Sequence, residues 1–358
     1  MKYCITYILF FLMCNSLHAN QVNNFVFFKP THHYIQYTGR IDFADENTPR
    51  FWQPGVYITT SFIGDSCGVI LQDQMRWGTN HNYIEIVIDE VATRIRLKTN
   101  RDTIWTIPQS PKKIHTITIY KNTEANIGYM ELVGFLCKQL HKPNKKPKLK
   151  IECIGNSITC GTGSDVSEIA CRQGVWHDQH NAYLSYGALV ARNLDAQFHL
   201  SSVSGIGLMR SCCNLKITMP QMFDKINLYD GDKTWDFKNY QPNIVTICLG
   251  QNDGIVDSAS FSNHYFNFIQ YLRKAYPNAQ FICMSSPMAH LELFNFQKNN
   301  IQALVKKINQ LGDNKVSCYF FSKQYHLGCD GHPSIEEHQM IANELIQFIQ
   351  KKLTTIKF

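Results

Sequence analysis

The segment Leu149-Lys150-Ile151-Glu152-Cys153-Ile154-Gly155-Asn156-Ser157-Ile158-Thr159 reads as a strand, a turn and the start of a helix. Leu149, Ile151, Cys153 and Ile154 form a short apolar run, Gly155 and Asn156 interrupt it, and Thr162, Gly163 and Ser164 follow. Ser157 is thereby delivered at the C-terminal end of a strand, the side on which open α/β sheets receive ligands. A hydroxyl is a poor nucleophile until an imidazole takes its proton. The candidate imidazole is His332, in Asp330-Gly331-His332-Pro333, just ahead of the last helical stretch.

Two further strand ends offer donors for an oxyanion. Residues Ser201 to Gly207, reading SSVSGIG, follow the apolar Phe198 and Leu200, and Gly205 can present a backbone N–H where a side chain would obstruct substrate. Asn243 to Leu249, reading NIVTICL, suits a parallel strand buried on both faces and runs into Gly250-Gln251-Asn252-Asp253. The Asn252 amide is a neutral donor able to act with the N–H groups of Ser157 and Gly205. Helical apolar spacing over residues 182–194, 261–275, 299–310 and 335–352 alternates with strand-like runs over 280–284 and 316–321. Residues 151–358 are therefore predicted to form a three-layer α/β domain with a mainly parallel sheet.

Residues 20–140 have another rhythm. Short runs such as Tyr83 to Ile88, Thr93 to Leu97 and Ile114 to Tyr120 alternate apolar and polar residues between Gly and Asn/Asp clusters. The pattern predicts an antiparallel β-sandwich of jelly-roll type with no helix of any length. Lys142, Lys145, Lys146, Lys148 and Lys150, with Pro143 and Pro147, mark residues 141–150 as a solvated linker.

The four blocks, in this order, resemble the SGNH or GDSL-type hydrolases, a flavodoxin-like family named for a catalytic Ser, an oxyanion Gly and Asn, and a catalytic His. The matching positions are Ser157, Gly205, Asn252 and His332. Tyr37 to Asp42, Trp52 to Val56, Ser204 to Gly207, Trp235-Asp236-Phe237 and Gly328 to Pro333 resemble carbohydrate esterase family 2, the acetyl xylan esterases, over nearly the whole mature chain. That resemblance implies a carbohydrate O-acetylesterase acting on acetylated cell-wall polysaccharides, xylan and mannan among them, through an acyl-serine. The chemistry needs no metal or organic cofactor. One position departs from the broader pattern: the residue that orients the histidine usually lies three before it, and here that is Cys329. Asp330 lies two before, so a Ser157-His332-Asp330 triad and a Ser-His dyad oriented by a backbone carbonyl both remain open. Two other functions are compatible with these residues. One is an SGNH lipase or thioesterase acting on small acyl esters, and the other is a non-catalytic glycan-binding protein built on the same scaffold.

At 358 residues and 44% hydrophobic, the chain can bury two cores, and the composition excludes a disordered or fibrous protein. The net charge of +7 is concentrated in the Lys/Pro segment, without a basic helical stripe, so no nucleic-acid partner is expected. Met1 to Ala19 has the layout of a secretory signal peptide, too short for a membrane span, and places the mature protein outside the cytoplasm, whether secreted, periplasmic or at the cell surface. Of 13 cysteines, Cys4 and Cys14 fall in the leader. Cys153, Cys248 and Cys283 are expected as buried thiols, and Cys160 with Cys171 and Cys318 with Cys329 are candidate disulfides whose connectivity the sequence leaves open. His177 with His180, and His32 with His33, lack the further ligands of a metal site. Gly161 to Ser164 is expected at the pocket rim, and Trp176, Trp235 and the stretch Met288 to Phe296 are candidates for substrate lining.

Overall fold

A computed structural model describes residues 25–355; the expected signal peptide lies outside the described residues. The alternating N-terminal half forms strands β1 (Val26–Phe28), β2 (Gln36–Thr38), β3 (Ile41–Asp42), β4 (Arg50–Phe51), β5 (Tyr57–Asp73), β6 (Tyr83–Ile88), β7 (Val91–Arg96), β8 (Arg101–Thr106), β9 (Ile114–Lys121) and β10 (Met130–His141). All pair antiparallel. The long β5 and β10 join them into one continuous sheet, so the expected sandwich is not split into two separately bonded sheets. Alternate residues such as Phe62, Val69, Leu71, Ile117, Ile119, Leu132 and Phe135 fill its core. Short 3-10 turns at Arg76–Gly78 and Ala125–Ile127 are its departures from strand and loop.

The second half contains β11 (Leu149–Gly155), β12 (Ala196–Ser202), β13 (Ile244–Cys248), β14 (Gln280–Met284) and β15 (Val316–Tyr319), all parallel, in the order β12-β11-β13-β14-β15. The helices are α1 (Ser157–Cys160), α2 (Tyr186–Asn193), α3 (Met219–Met222), α4 (Ser258–Ala275), α5 (Leu291–Gln310) and α6 (Ile335–Thr355). Both faces of the sheet are covered, which is why its strands are apolar at successive positions. Val245 and Ile247 of β13 face a core containing Phe261 and Phe268 of α4 and Leu304 of α5. Ile244 and Cys248 face a second core containing Val190 of α2 and Leu345 of α6. The chain leaves β11 toward β12 on one side and returns to β13 on the other. This reversal opens a crevice at the C-terminal strand ends.

The halves are clamped together by buried polar contacts. Arg40, beyond β2, donates to Glu152 Oε1 at 3.0 Å and to the carbonyls of Phe223 and Lys225, and its guanidinium lies over the Phe223 ring. Both partners of this ion pair are almost fully buried.

Helix α5 begins eight residues before the expected Asn299, because His290 caps it by accepting from the Leu293 N–H. The disulfides also differ from expectation: Cys171 bonds Cys329, and Cys212 bonds its neighbour Cys213. Cys160 is instead a buried thiol donating to Ser202 Oγ, and Cys318 lies in β15 against the core. Cys153, Cys248 and Cys283 are buried free thiols.

Candidate active site

Gly155 closes β11 because the chain must fold straight back into α1: a Cβ there would come within 2.0 Å of Thr159 Oγ1. Asn156 caps the turn, its Oδ1 accepting from the Ile158 N–H at 3.2 Å. Ser157 follows as the first residue of α1, 7% exposed.

Beyond β12, Gly205 has φ +81°, a conformation that L side chains rarely adopt, and an added Cβ would meet Cys212 Sγ at 3.3 Å. The following loop is held by a residue the sequence reading did not single out. The fully buried Asp253 carboxylate accepts from the N–H groups of Leu208, Met209 and Arg210 at 2.9, 2.7 and 3.0 Å. Beside it, Asn252 Nδ2 donates to Ile206 O at 2.8 Å, which leaves its second N–H for another acceptor.

His332 sits in the turn before α6. Its Nδ1 lies 3.1 Å from Cys329 O. A carbonyl only accepts, so Nδ1 carries the proton and the Nε2 lone pair is available as a base. Burial, the largest influence, pulls the imidazole pKa below its ordinary value, against the Cys329 carbonyl and the negative charges of Glu124 and Asp330. The ring is therefore neutral at pH 7. Asp330 is exposed, at φ 52°. The turn is tied to the segment after Ser157 by Cys329 N donating to Gly163 O at 2.8 Å and to residue 171 by the disulfide. The buried Gly163 thus braces the histidine turn, where Gly161 to Ser164 was expected at the rim.

Ser157, Gly205, Asn252 and His332 line one cavity of about 660 Å³. Trp176 and Met288 line it too. Trp235 does not. It is 7% exposed and packs with Ile226 and Tyr240, its ring near His199. Phe296, at the end of the same candidate stretch as Met288, packs on the α4/α5 core. His177 and His180 are buried, and among the described residues no cluster of three or more His, Cys, Asp or Glu is arranged to hold a metal. Beneath the cavity lies Glu124 of the N-terminal half, fully buried and bonded to Thr162 and Ser204. No motif surrounds it in the sequence, so only the docking of the two halves reveals it.

Residues 37–147 match the family model for the Carbohydrate esterase 2 N-terminal domain, and residues 153–335 that of the GDSL-like Lipase/Acylhydrolase family. A cellulase/esterase of Acetivibrio thermocellus is 31% identical over 332 residues, 89% of this chain but 39% of that protein, so the chain spans well under half of its length. An acetylxylan esterase / glucomannan deacetylase of Cellvibrio japonicus is 30% identical over 330 residues, 87% of each chain. A solved family two carbohydrate esterase from Clostridium thermocellum, in complex with cellohexaose, has a TM-score of 0.82 at 29% identity, covering 90% of this chain and 100% of that one.

Proposed function

The chain belongs to carbohydrate esterase family 2, a β-domain followed by a GDSL-like hydrolase domain, and from that premise we propose that it removes O-acetyl groups from plant cell-wall polysaccharides of the xylan or mannan type. In this reading Ser157 Oγ attacks the acetyl carbonyl as His332 Nε2 takes its proton. The N–H groups of Ser157 and Gly205 and the Asn252 amide hold the oxyanion. The tetrahedral adduct collapses, and the departing sugar oxygen takes the proton back from His332. Water, deprotonated by the same ring, then cleaves the acyl-serine, releasing acetate and regenerating Ser157.

The observation that carries this reading is the convergence of four residues from four separate segments on one cavity, with the histidine already held in the tautomer a base requires. Nδ1 is taken by the Cys329 carbonyl, which favours a Ser-His dyad. Trp176, 45% exposed at the cavity, is the face we assign to stacking on a pyranose ring. The four reacting residues fall within 151–358, with residues 20–140 as the β-domain, whose Asn126 also lines the cavity, and 141–150 as the link between the two. Two disulfides accord with work outside the cytoplasm.

Acetate release from acetylated xylan and acetylated glucomannan, beside hydrolysis of 4-nitrophenyl acetate and of a long-chain 4-nitrophenyl ester, tests the proposal. Acetate should appear from the glycans, and the acetate ester should be preferred to the long-chain one. The reverse preference, with no acetate from either glycan, would overturn it in favour of a lipase.

A further inference from the structure

We propose that Glu124, delivered by the N-terminal domain, is a positioning residue of the hydrolytic site: its buried carboxylate locks the oxyanion loop to the nucleophile turn. The proposal rests on the esterase reading above.

Glu124 lies between β9 and β10, 1% exposed, on a loop inserted into the second half of the molecule. Asn122 O accepts from the Ala182 N–H at 3.1 Å, and Asn122 Oδ1 from the Tyr183 N–H at 3.1 Å. The buried Lys121 side chain braces the loop from within, its Nζ donating to the carbonyls of Thr123 and Glu124 at 2.7 and 3.1 Å. At the tip, Glu124 Oε1 accepts from Thr162 Oγ1 at 2.8 Å and from Ser204 Oγ at 2.5 Å, while Oε2 accepts from the Ser204 N–H at 2.8 Å.

These two partners sit on the two sides of the chemistry. Thr162 ends the turn that opens with Ser157, its N–H donating to Ser157 O at 3.0 Å. Ser204 immediately precedes Gly205. The carboxylate, together with the direct 2.9 Å contact between the Thr162 and Ser204 hydroxyls, therefore fixes the distance between the nucleophile turn and the peptide that presents the Gly205 N–H, a geometry to which acyl transfer is steeply sensitive.

Two hydroxyls and one peptide N–H are placed to donate to the carboxylate, and the two hydroxyls also lie 2.9 Å from each other. The nearby His180 Nδ1, 3.5 Å away, is kept neutral by burial. Lys121, whose pKa burial pulls down to about 7, is the cation on the backbone side of the same loop. In a dyad the Cys329 carbonyl orients the ring but brings no full charge to the imidazolium that forms during reaction. The Glu124 carboxylate is an anionic neighbour from the other domain that opposes the lowering of the imidazole pKa by burial. The titratable groups facing His332 are Glu124, Asp330 on its own turn, and His180 and His338, both neutral through burial. Of the two acids, Glu124 is buried and Asp330 exposed, so Glu124 acts with less screening.

Glu124→Gln keeps the size and an acceptor while removing the charge. In the full chain, with 4-nitrophenyl acetate as substrate, kcat should fall about 10- to 100-fold with KM changed less than about twofold. The acid limb of kcat/KM should move to lower pH, because the imidazole loses an anionic neighbour. Ser204→Ala removes the hydroxyl's contacts with Glu124 and Thr162 but keeps the charge, so kcat should fall while the acid limb stays in place. A folded Glu124→Gln protein with parental kcat and an unmoved acid limb overturns the proposal. If Glu124→Gln does not fold, a parental kcat in Ser204→Ala overturns it. A parent protein that hydrolyses no ester would instead bring down the esterase reading, and this role with it.

Discussion

Replacing Asp330 with Asn should lower kcat by less than about tenfold. The neighbouring Cys329 carbonyl, not the Asp330 carboxylate, receives the His332 Nδ1–H, and a side-chain substitution at residue 330 leaves that carbonyl in place. Asn tolerates the positive φ of 52° at this site, so the turn itself is preserved. What is lost is an exposed negative charge near the ring. Exposed charges contribute about 1 kcal/mol or less, which corresponds to about fivefold in rate. Loss of a carboxylate that holds the imidazole directly costs about four orders of magnitude. Steady-state kinetics on 4-nitrophenyl acetate between pH 5 and 8 separate the two cases. The acid limb should shift slightly to lower pH, since removing a negative neighbour lowers the imidazole pKa. A thousand-fold loss in folded Asp330→Asn and Asp330→Ala proteins would refute the reasoning and make Asp330 a triad member.

Arg40→Met strands the buried Glu152 carboxylate and should cost about 3–5 kcal/mol in urea denaturation, the scale for breaking a buried ion pair; a loss under about 1 kcal/mol would contradict the clamp. Cys171→Ser opens the disulfide that pins the histidine turn across a sequence separation of 158 residues. It should lower Tm, with an entropic contribution up to about 5 kcal/mol, and reduce kcat as the Cys329 carbonyl loosens; unchanged values of both would count against it. His338 is fully buried and neutral, its Nδ1 accepting from the Tyr186 N–H at 3.1 Å, and burial lowers its pKa from 6.5 to about 3. The unfolded chain takes this proton below about pH 6.5 and the folded chain only near pH 3. Stability should therefore decline as pH falls through that window, by several kcal/mol in order of magnitude. Denaturation measured at pH 7 and pH 5 should show the decline in the parent and a flatter response in His338→Asn.

Local pattern made much of the fold legible. The parallel strands announced themselves through apolar runs such as NIVTICL, and β14 and the start of α6 fall where spacing put them. The four blocks around Ser157, Gly205, Asn252 and His332 were visible because a strand-end turn demands particular residue types. Features set by distant partners were not. Nothing near Cys329 names Cys171 as its partner, and nothing near Trp235 says that the interdomain packing around Tyr240 will cover it. Glu124 looks like an ordinary loop acid until the two halves meet. Asp253 follows the noticed Asn252, yet its role depends on three N–H groups presented more than 40 residues earlier.

The most direct test of the account is the turnover of Ser157→Ala on 4-nitrophenyl acetate, with folding checked by circular dichroism. Ala fits the buried turn and removes only the nucleophilic oxygen. The account predicts a folded protein whose kcat falls by about six orders of magnitude, as removal of the serine does in serine hydrolases. A folded Ser157→Ala protein with near-parental turnover would contradict it.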